Sequence, residues 1–515
     1  MGRLLDLPSL RPYPGATRVH LRRRRPRRGS AAARLLPAPV PGPGPGALVG
    51  ALSDQLGDLP LGRSDRYRAT AGPQRPRPRR LVRARQLRQG DHHDARHRGE
   101  SRLRGRVRSV TAVAREHHLR RRQRLFVIFT AVLCLAYARQ LLTSPTAGQD
   151  FRAFFAAATV SAQGGDPYDW TALGRTEDAL YNAPVHARPG DPRYNDFLPF
   201  PEGPWLALGL QPLTGLPWQV VYPVFAGLML LAIAAGAWLV LLRLGWPPAR
   251  RRIAVVVTVL SPIAFINVFQ GQVSALVFFG FAGAWYLAGR GRPVWAGLLL
   301  TLVWIKPNLG LALPLVLVLL EPASRWRLLL GFGGGSLIAF GVAALALPGV
   351  LWHWANELMS HWRAAQGIQP DVASIHSFYY PALTGPLKPL ALLAVLAAGG
   401  VYTVWAIRRA PDARARGLTL LLLWFALLPY VHSFDAILLL PLVAFLLQPD
   451  LRGWADPATE LVLWAFAILP FGYFIGLRFG FFNGFTAVPV LLLLIAWHRR
   501  VIRDQPRAVP ETVAA

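Results

Sequence analysis

The chain has 515 residues, 53% of them hydrophobic and 16% charged, and a formal net charge of +31. Charge and hydrophobicity are separated along it. Residues 1–124 contain 31 Arg and 8 acidic residues and account for +23, whereas the rest is dominated by Leu, Ala, Val, Phe and Trp. This division excludes an ordinary soluble protein and indicates a polytopic membrane protein that follows a basic extension.

The basic extension, residues 1–124, is rich in Arg, Pro and Gly and lacks apolar periodicity, so we expect it to be disordered. Its run Arg22–Arg28 resembles a nucleic-acid or anionic-lipid arm. Because no aromatic or helical pattern accompanies that run, we expect no nucleic-acid partner and favour a translation start near Val110 or later. The cluster Arg120–Arg124 differs, since it flanks the first apolar segment as a cytoplasmic anchor does. The single cysteine, Cys134, allows no intrachain disulfide.

Twelve apolar segments follow, which predicts an all-α polytopic membrane domain over residues 125–500 and a cytoplasmic tail over 501–515. Several are shorter than the roughly 20 residues of a perpendicular span. The pair that flanks Lys306 is therefore interpreted as half-helices lining a cavity. The segments are, approximately, 125–143, 219–242, 253–269, 273–289, 293–305, 307–320, 328–348, 387–407, 417–431, 434–448, 460–477 and 482–497.

Orientation follows from basic residues in the short loops, which favour the cytoplasmic side. With twelve segments, the basic clusters fall on one side, so both termini are predicted to be cytoplasmic. Two long loops, about 144–202 and 349–386, then lie outside the cytoplasm. The first contains 8 acidic and 4 basic residues, and the second is rich in Trp and His. We therefore expect the chemistry to face away from the cytoplasm.

The first outer loop opens with a predicted helix, Asp150–Ser161. Its apolar residues Phe151, Phe154, Phe155 and Ala158 fall at positions i, i+3, i+4 and i+7, which form one helical face. Asp150 would stand at or near the N-cap, where a carboxylate suits the helix dipole. On position alone, capping and catalysis are equally good interpretations of Asp150.

Five features in order resemble glycosyltransferase family 87, the polyprenyl-phosphate-mannose-dependent mannosyltransferases of the GT-C class. They are Asp150 at the start of the first outer loop, GGDPYDW at Gly164–Trp170, FQGQVSAL at Phe269–Leu276, AGLLLTLVWIKPNLGL at Ala296–Leu311 and PYVHSFDAILLLP at Pro429–Pro441. The resemblance covers roughly residues 120–500. It implies a GT-C fold and inverting transfer of a sugar from a lipid-phosphate donor, with Asp150 as the base.

One departure is the segment FLPFPEGPW, where Glu202 interrupts a Pro-rich pattern such as YPP. It leaves the fold unaffected and puts the substrate preference in question.

The reaction that the resemblance implies needs a base beside the attacking hydroxyl and polar groups on the departing phosphate. Lys306 suits the second role because an ionisable residue at membrane depth indicates function. The alternative is a lysine that reaches the interface at the break before Pro307. His432 and Asp435 would share a helical face, and Asp435 would orient the imidazole and raise its pKa, which gives a second cation for the donor phosphate. Their alternative role is a polar cap on a helical hairpin, and two such residues give weak support for a metal.

The remaining candidates are polar residues of the outer loops and turns. Gln270 and Gln272 could contact sugar hydroxyls, although polar turn residues occur as often without function. Asp166 and Tyr168 belong to a GDPYD turn, and Asp166 is the second choice for an active-site acid. His376 ends the second outer loop as a further substrate-binding candidate.

The predicted protein is thus a plasma-membrane enzyme that moves mannose from polyprenyl-phosphate mannose to a glycolipid or glycan acceptor, without a metal or other cofactor. A second hypothesis keeps the fold and changes the donor sugar to arabinose or glucose. A non-enzymatic hypothesis is a lipid-linked sugar flippase. A flippase would tolerate loss of Asp150, and internal repeats, which are not evident, would support it.

Overall fold

A computed structural model describes residues 147–181, 199–365, 372–448, 457–468 and 484–503, with scattered positions between 121 and 139. Every regular element in these residues is a helix, and an isolated bridge pairs Val372 with His432. The all-α prediction is confirmed for this part of the chain. The predicted basic extension, most of the first apolar segment and nearly all of the C-terminal tail lie outside the described residues.

The helices are numbered in chain order. The α-helices are α1 (Gln149–Ala162), α2 (Trp170–Tyr181), α3 (Pro204–Leu210), α4 (Trp218–Arg243), α5 (Pro248–Val259), α6 (Pro262–Gln270), α7 (Ser274–Gly289), α8 (Pro293–Leu300), α9 (Pro307–Gly310), α10 (Leu313–Leu320), α11 (Arg325–Ala346), α12 (Val350–Ala365), α13 (Leu387–Arg409), α14 (Ala413–Leu427), α15 (Leu440–Leu446), α16 (Pro457–Ile468) and α17 (Gly484–Trp497). Tighter 3₁₀ turns occur at Gln211–Leu213, Thr301–Ile305, Pro322–Ser324, Ile375–Phe378, Tyr380–Ala382 and Ser433–Leu439, and a π-helical turn spans His498–Arg503.

Three helices are long and apolar enough to cross a bilayer: α4, α11 with the 3₁₀ turn before it, and α13. Both α11 and α13 leave large apolar side chains exposed, among them Leu345 at 86% and Val401 at 73%. Such faces suit lipid better than water. The chain is therefore a helical membrane protein, while the number of twelve spans stays a prediction.

Helices α5 and α6 are together long and apolar enough to form a fourth span, and the chain bends by 42° between them. The sequence predicted one segment here, at 253–269. The bend follows from Pro262, which has no N–H to continue the α5 ladder. Ser261 caps the new helix by accepting a hydrogen bond from Ala264 N at 3.4 Å. The predicted segment is therefore corrected to two helices.

The chain breaks at Lys306, as the short flanking segments predicted. Helix α8 passes into the turn Thr301–Ile305, Lys306 takes an extended backbone (φ −136°, ψ 81°), and α9 starts at Pro307. A proline disfavours the helical conformation in the residue before it, which explains the extended Lys306. The break brings the lysine side chain into the protein interior, where it is 6% exposed.

Helix α1 confirms the predicted helix at 150–161. Phe151, Phe154, Phe155 and Ala158 are all buried, and the Phe151 ring stacks on Phe225 of α4 with centroids 3.9 Å apart. The N-cap residue is Gly148, with φ 75°, and Asp150 lies in the first turn of the helix. Asp150 is therefore close to the helix dipole without occupying the cap position.

Helix α12 lies inside the second outer loop, where no helix was predicted. It packs against the first outer loop through two indole hydrogen bonds. Trp170 Nε1 donates to Glu357 Oε2 at 2.8 Å, and Trp354 Nε1 donates to the Pro201 carbonyl at 3.2 Å. The two long loops are therefore in contact with each other.

Candidate functional site

The start of α1 is held against the turn that joins α6 to α7. Gly148 N donates to the Phe269 carbonyl at 2.7 Å. Gly271 has φ +73°, and a Cβ on it would lie 2.6 Å from the Phe151 Cβ and 2.9 Å from the Phe151 nitrogen. Glycine is required here both by the backbone conformation and by the close approach. This contact sets Asp150 beside Gln272.

We expect Gly271→Ala to reduce activity about tenfold or more, because small displacements of reacting groups have large kinetic costs. Gly291→Ala is the matched control: Gly291 also has a positive φ, +74°, but a Cβ there meets nothing within 4 Å. Transfer rates of the two variants, measured at equal amounts of folded protein, check the prediction. An equal loss of activity in the two variants would show that backbone strain alone, and not the contact with Phe151, causes the loss.

Asp150, Gln272, Ser274, Lys306 and Asp435, which we call the acid–lysine cluster, form a continuous hydrogen-bonded set. Gln272 Nε2 donates to Asp150 Oδ2, and Gln272 Oε1 accepts from Lys306 Nζ at 2.8 Å. Lys306 Nζ also donates to Asp435 Oδ1 at 2.8 Å and to Ser274 Oγ at 3.3 Å. Residues from four separate sequence motifs thus meet at one place.

Most side chains of this cluster are buried. Gln272 and Lys306 are 5% and 6% exposed, and Ser274 and Asp435 are fully buried. Asp150 is only partly buried. Asp150 is therefore the end of the cluster that a substrate hydroxyl can reach.

All three N–H groups of Lys306 have acceptors within the cluster. An ammonium group has three donors and no more. Its charge is also balanced by Asp435 and lies 4.5 Å from the Phe434 ring centroid. Lys306 would have to exchange one of these partners before it could contact a phosphate.

His432 borders the cluster through its backbone. Its N–H donates to Asp435 Oδ2 at 2.9 Å. The imidazole lies between Tyr430 and Phe434, with ring centroids 4.7 Å and 5.0 Å away. The Asp435 carboxylate thus bonds the His432 main chain as part of a reciprocal capping box, and its orienting of the imidazole stays a prediction.

Gln270 and His376 are both buried. Gln270 is the last residue of α6 and is 4% exposed. His376 contacts the Leu427 carbonyl through Nε2 at 2.7 Å and the Tyr379 hydroxyl through Nδ1. Burial lowers the pKa of His376. Its observed contacts hold the second outer loop to the end of α14.

Asp166 and Tyr168 form the predicted turn, at the junction of the two outer loops. Asp166 Oδ1 accepts from Tyr168 N at 3.0 Å, as in an Asx-turn. Its other oxygen lies 2.6 Å from His353 Nδ1 of α12. Burial, with nearby carboxylates, raises the pKa of Tyr168 well above its usual value. Both contacts join Asp166 to the two long loops, and its place as the second choice for an active-site acid stays a prediction.

Glu202 is the residue that the site predictions omitted. It is 5% exposed, and the electrostatic influences on it come from Lys306, Asp150 and Asp435. Burial raises its pKa to about 8. The available sequence signal was a charged residue in an otherwise apolar Pro-rich segment. Nothing in the sequence showed that this segment turns toward Lys306.

The described residues contain no group of three His, Cys, Asp or Glu side chains arranged for a metal ion. What the geometry offers is a partly exposed carboxylate, oriented by an amide that a buried ion pair holds in place. Such an arrangement can accept a proton from a hydroxyl group.

The model of glycosyltransferase family 87 matches residues 200–433. Those residues, somewhat less than half of the chain, are similar to that family. The match confirms the family resemblance and makes the protein a glycosyltransferase of the membrane. No curated protein and no solved structure matches the chain.

The matched region contains Gln272, Lys306 and His432, and it ends two residues before Asp435. Asp150 lies before its first residue. The hydrogen bond from Gln272 to Asp150 therefore joins the first outer loop to the family 87 region.

Proposed function

We propose that this glycosyltransferase moves mannose from polyprenyl-phosphate mannose to a glycolipid or glycan acceptor, with Asp150 as the general base. The acceptor hydroxyl attacks the anomeric carbon and gives its proton to the Asp150 carboxylate. The bond from that carbon to the phosphate oxygen breaks, and polyprenyl phosphate departs with the bonding electrons. This single displacement inverts the anomeric configuration.

The observation that carries this proposal is the bond from Gln272 to Asp150 within the acid–lysine cluster. A general base must be oriented as well as close to its proton donor. Gln272 fixes the carboxylate from one side, and Lys306 fixes Gln272. The Asp150 carboxylate is partly exposed, and we propose that the acceptor hydroxyl binds there.

We keep Lys306, Asp435 and His432 as residues of the donor-binding side of the site and change the role of Lys306. Because Lys306 already serves three acceptors, we propose that it mainly positions Gln272 and Asp435. It would approach the phosphate only by exchanging a partner as the donor binds. His432 is then the other candidate for a phosphate contact, and Gln270, Tyr168 and His376 remain candidates for the walls of the sugar site.

We place the reaction on the extracytoplasmic face of the plasma membrane, in a GT-C fold with both termini in the cytoplasm. The basic clusters of the short loops support this orientation. It puts Asp150 on the side where the two long loops lie.

The test is a panel of radiolabelled polyprenyl-phosphate donors carrying mannose, arabinose or glucose, given to membranes that contain the full chain. We expect incorporation of mannose into glycolipid to exceed the other two, and to be absent from membranes without the chain. Preferred incorporation of arabinose or glucose would overturn mannose as the sugar but would still support a polyprenyl-phosphate donor. Incorporation from none of the three would overturn the donor class.

A further inference from the structure

Glu202 is a buried acid that the transfer mechanism above does not use. The side chain is 5% exposed, and Oε2 has no hydrogen-bond partner in the described part of the chain. Leaving a buried polar atom unsatisfied costs about 1–3 kcal/mol. An uncompensated carboxyl oxygen beside a proposed active site is therefore a candidate for contact with substrate.

The backbone around Glu202 is fixed without help from its carboxyl group. Tyr168 Oη donates to the Glu202 carbonyl at 2.7 Å, and Gly203 N donates to the Ile305 carbonyl at 3.3 Å. The ring of Phe200 stacks on that of Tyr168, with centroids 5.5 Å apart. Since these contacts hold the segment in place, the fold does not account for the acidic side chain.

Burial favours the protonated form of Glu202, and the charge of Lys306 opposes it. Lys306 is its cationic neighbour and is already paired with Asp435, while Asp150 is a second carboxylate. Burial is the largest cause of the raised pKa, at about 8, and the two aspartates add to it. The raised pKa favours the protonated carboxyl group, which is an O–H donor and a poorer base than an ionised aspartate. Tyr168 and Glu357 are the other ionisable groups facing this region.

We propose that Glu202 determines sugar specificity by donating a hydrogen bond from its carboxyl O–H to a hydroxyl of the sugar held beside Asp150. This inference rests on the proposed glycosyl transfer at Asp150. Sugar hydroxyls accept hydrogen bonds, and a buried donor that finds its acceptor only in the complex discriminates strongly against sugars lacking that group. Glu202 thus binds the sugar, and Asp150 takes the proton.

The first test compares Glu202→Gln with Glu202→Ala, measuring mannose transfer against donor concentration. Gln keeps an N–H donor of similar length and should retain activity within about threefold at pH 7, whereas Ala should raise KM about tenfold or more. Glu357→Gln is the matched control, because Glu357 is also buried, accepts a hydrogen bond from the Trp170 indole and has no partner for Oε1 among the described residues. A Gln variant as inactive as Ala would overturn the proposal.

The pH profile separates this role from a structural one. A raised carboxyl pKa means that the donor O–H is present below about pH 8 and is lost as the pH rises through that value. Wild-type activity should therefore fall above about pH 8, and the fall should be absent in Glu202→Gln. Asp150, Asp435, Lys306 and Tyr168 are common to both proteins, so the difference isolates Glu202. An unchanged alkaline limb in the variant would contradict the inference.

A second measurement does not depend on turnover. Infrared difference spectra of the full chain in lipid nanodiscs should show the carbonyl stretch of a protonated carboxyl group at pH 7, absent in Glu202→Gln. The band should shift when polyprenyl-phosphate mannose is added. If the band shifts although no mannose is transferred, the proposed transfer reaction is wrong and the proposed contact between Glu202 and the sugar is kept. If the band is missing, or unmoved by the mannose, arabinose and glucose donors, the Glu202 proposal fails.

Discussion

Replacement of Asp150 by Asn should reduce mannose transfer about 10²- to 10⁴-fold, the usual contribution of a general base. Asn keeps the size of the side chain and one carbonyl oxygen to accept from Gln272, so the start of α1 should stay in place. What it loses is the ability to accept the hydroxyl proton. Initial transfer rates at saturating donor, in membranes with matched expression, measure this effect on kcat.

Asp166→Asn is the control for this prediction. Asp166 lies in the same outer loop and keeps its turn through an oxygen that accepts from Tyr168 N. It should retain most of the wild-type rate because its contacts with Tyr168 and His353 join the two long loops. A large loss in Asp166→Asn together with normal transfer by Asp150→Asn would exchange the roles of the two acids.

Replacement of Lys306 by Met should destabilise the protein by about 3–5 kcal/mol, because it leaves the buried Asp435 carboxylate without its cation. Met approximates the length of the lysine stem, so packing changes little. The variant loses the 2.8 Å ion pair between Lys306 and Asp435 and the hydrogen bond from Lys306 to Gln272. The thermal unfolding midpoint of the purified chain in detergent should fall accordingly, and transfer should be lost with it.

The double variant Lys306→Met with Asp435→Asn separates folding from catalysis. Removing both charges removes the unpaired carboxylate, so much of the stability should return. Activity should stay low, since Gln272 still lacks the donor that orients it. Full recovery of transfer in the double variant would contradict the positioning role of Lys306.

The sequence predicted well what depends on local chemistry. The apolar face of α1 follows from its 3.6-residue period, and the break at Lys306 follows from Pro307. The choice of Lys306 rested on the high cost of charge at membrane depth. Each of these arguments uses a residue and its immediate neighbours.

Other features depend on contacts between distant segments, which one sequence does not reveal. Gln272 was one of several polar turn residues, and its bridging role requires the close approach of Gly271 to Phe151. Glu202 was noticed as an irregularity, but its closeness to Lys306 depends on the bond from Gly203 to Ile305. Helix α12 was missed for a similar reason, because its indole contacts to the first outer loop help to fix it.

The most direct measurement uses the purified full chain in proteoliposomes with radiolabelled polyprenyl-phosphate mannose and an extract of membrane lipids as acceptor. It follows two quantities together: cleavage of the sugar–phosphate bond and passage of the intact donor across the bilayer. The account predicts that wild type cleaves the bond and labels an acceptor lipid, and that Asp150→Asn does neither. Passage of intact donor without cleavage, at the same rate in both proteins, would contradict it.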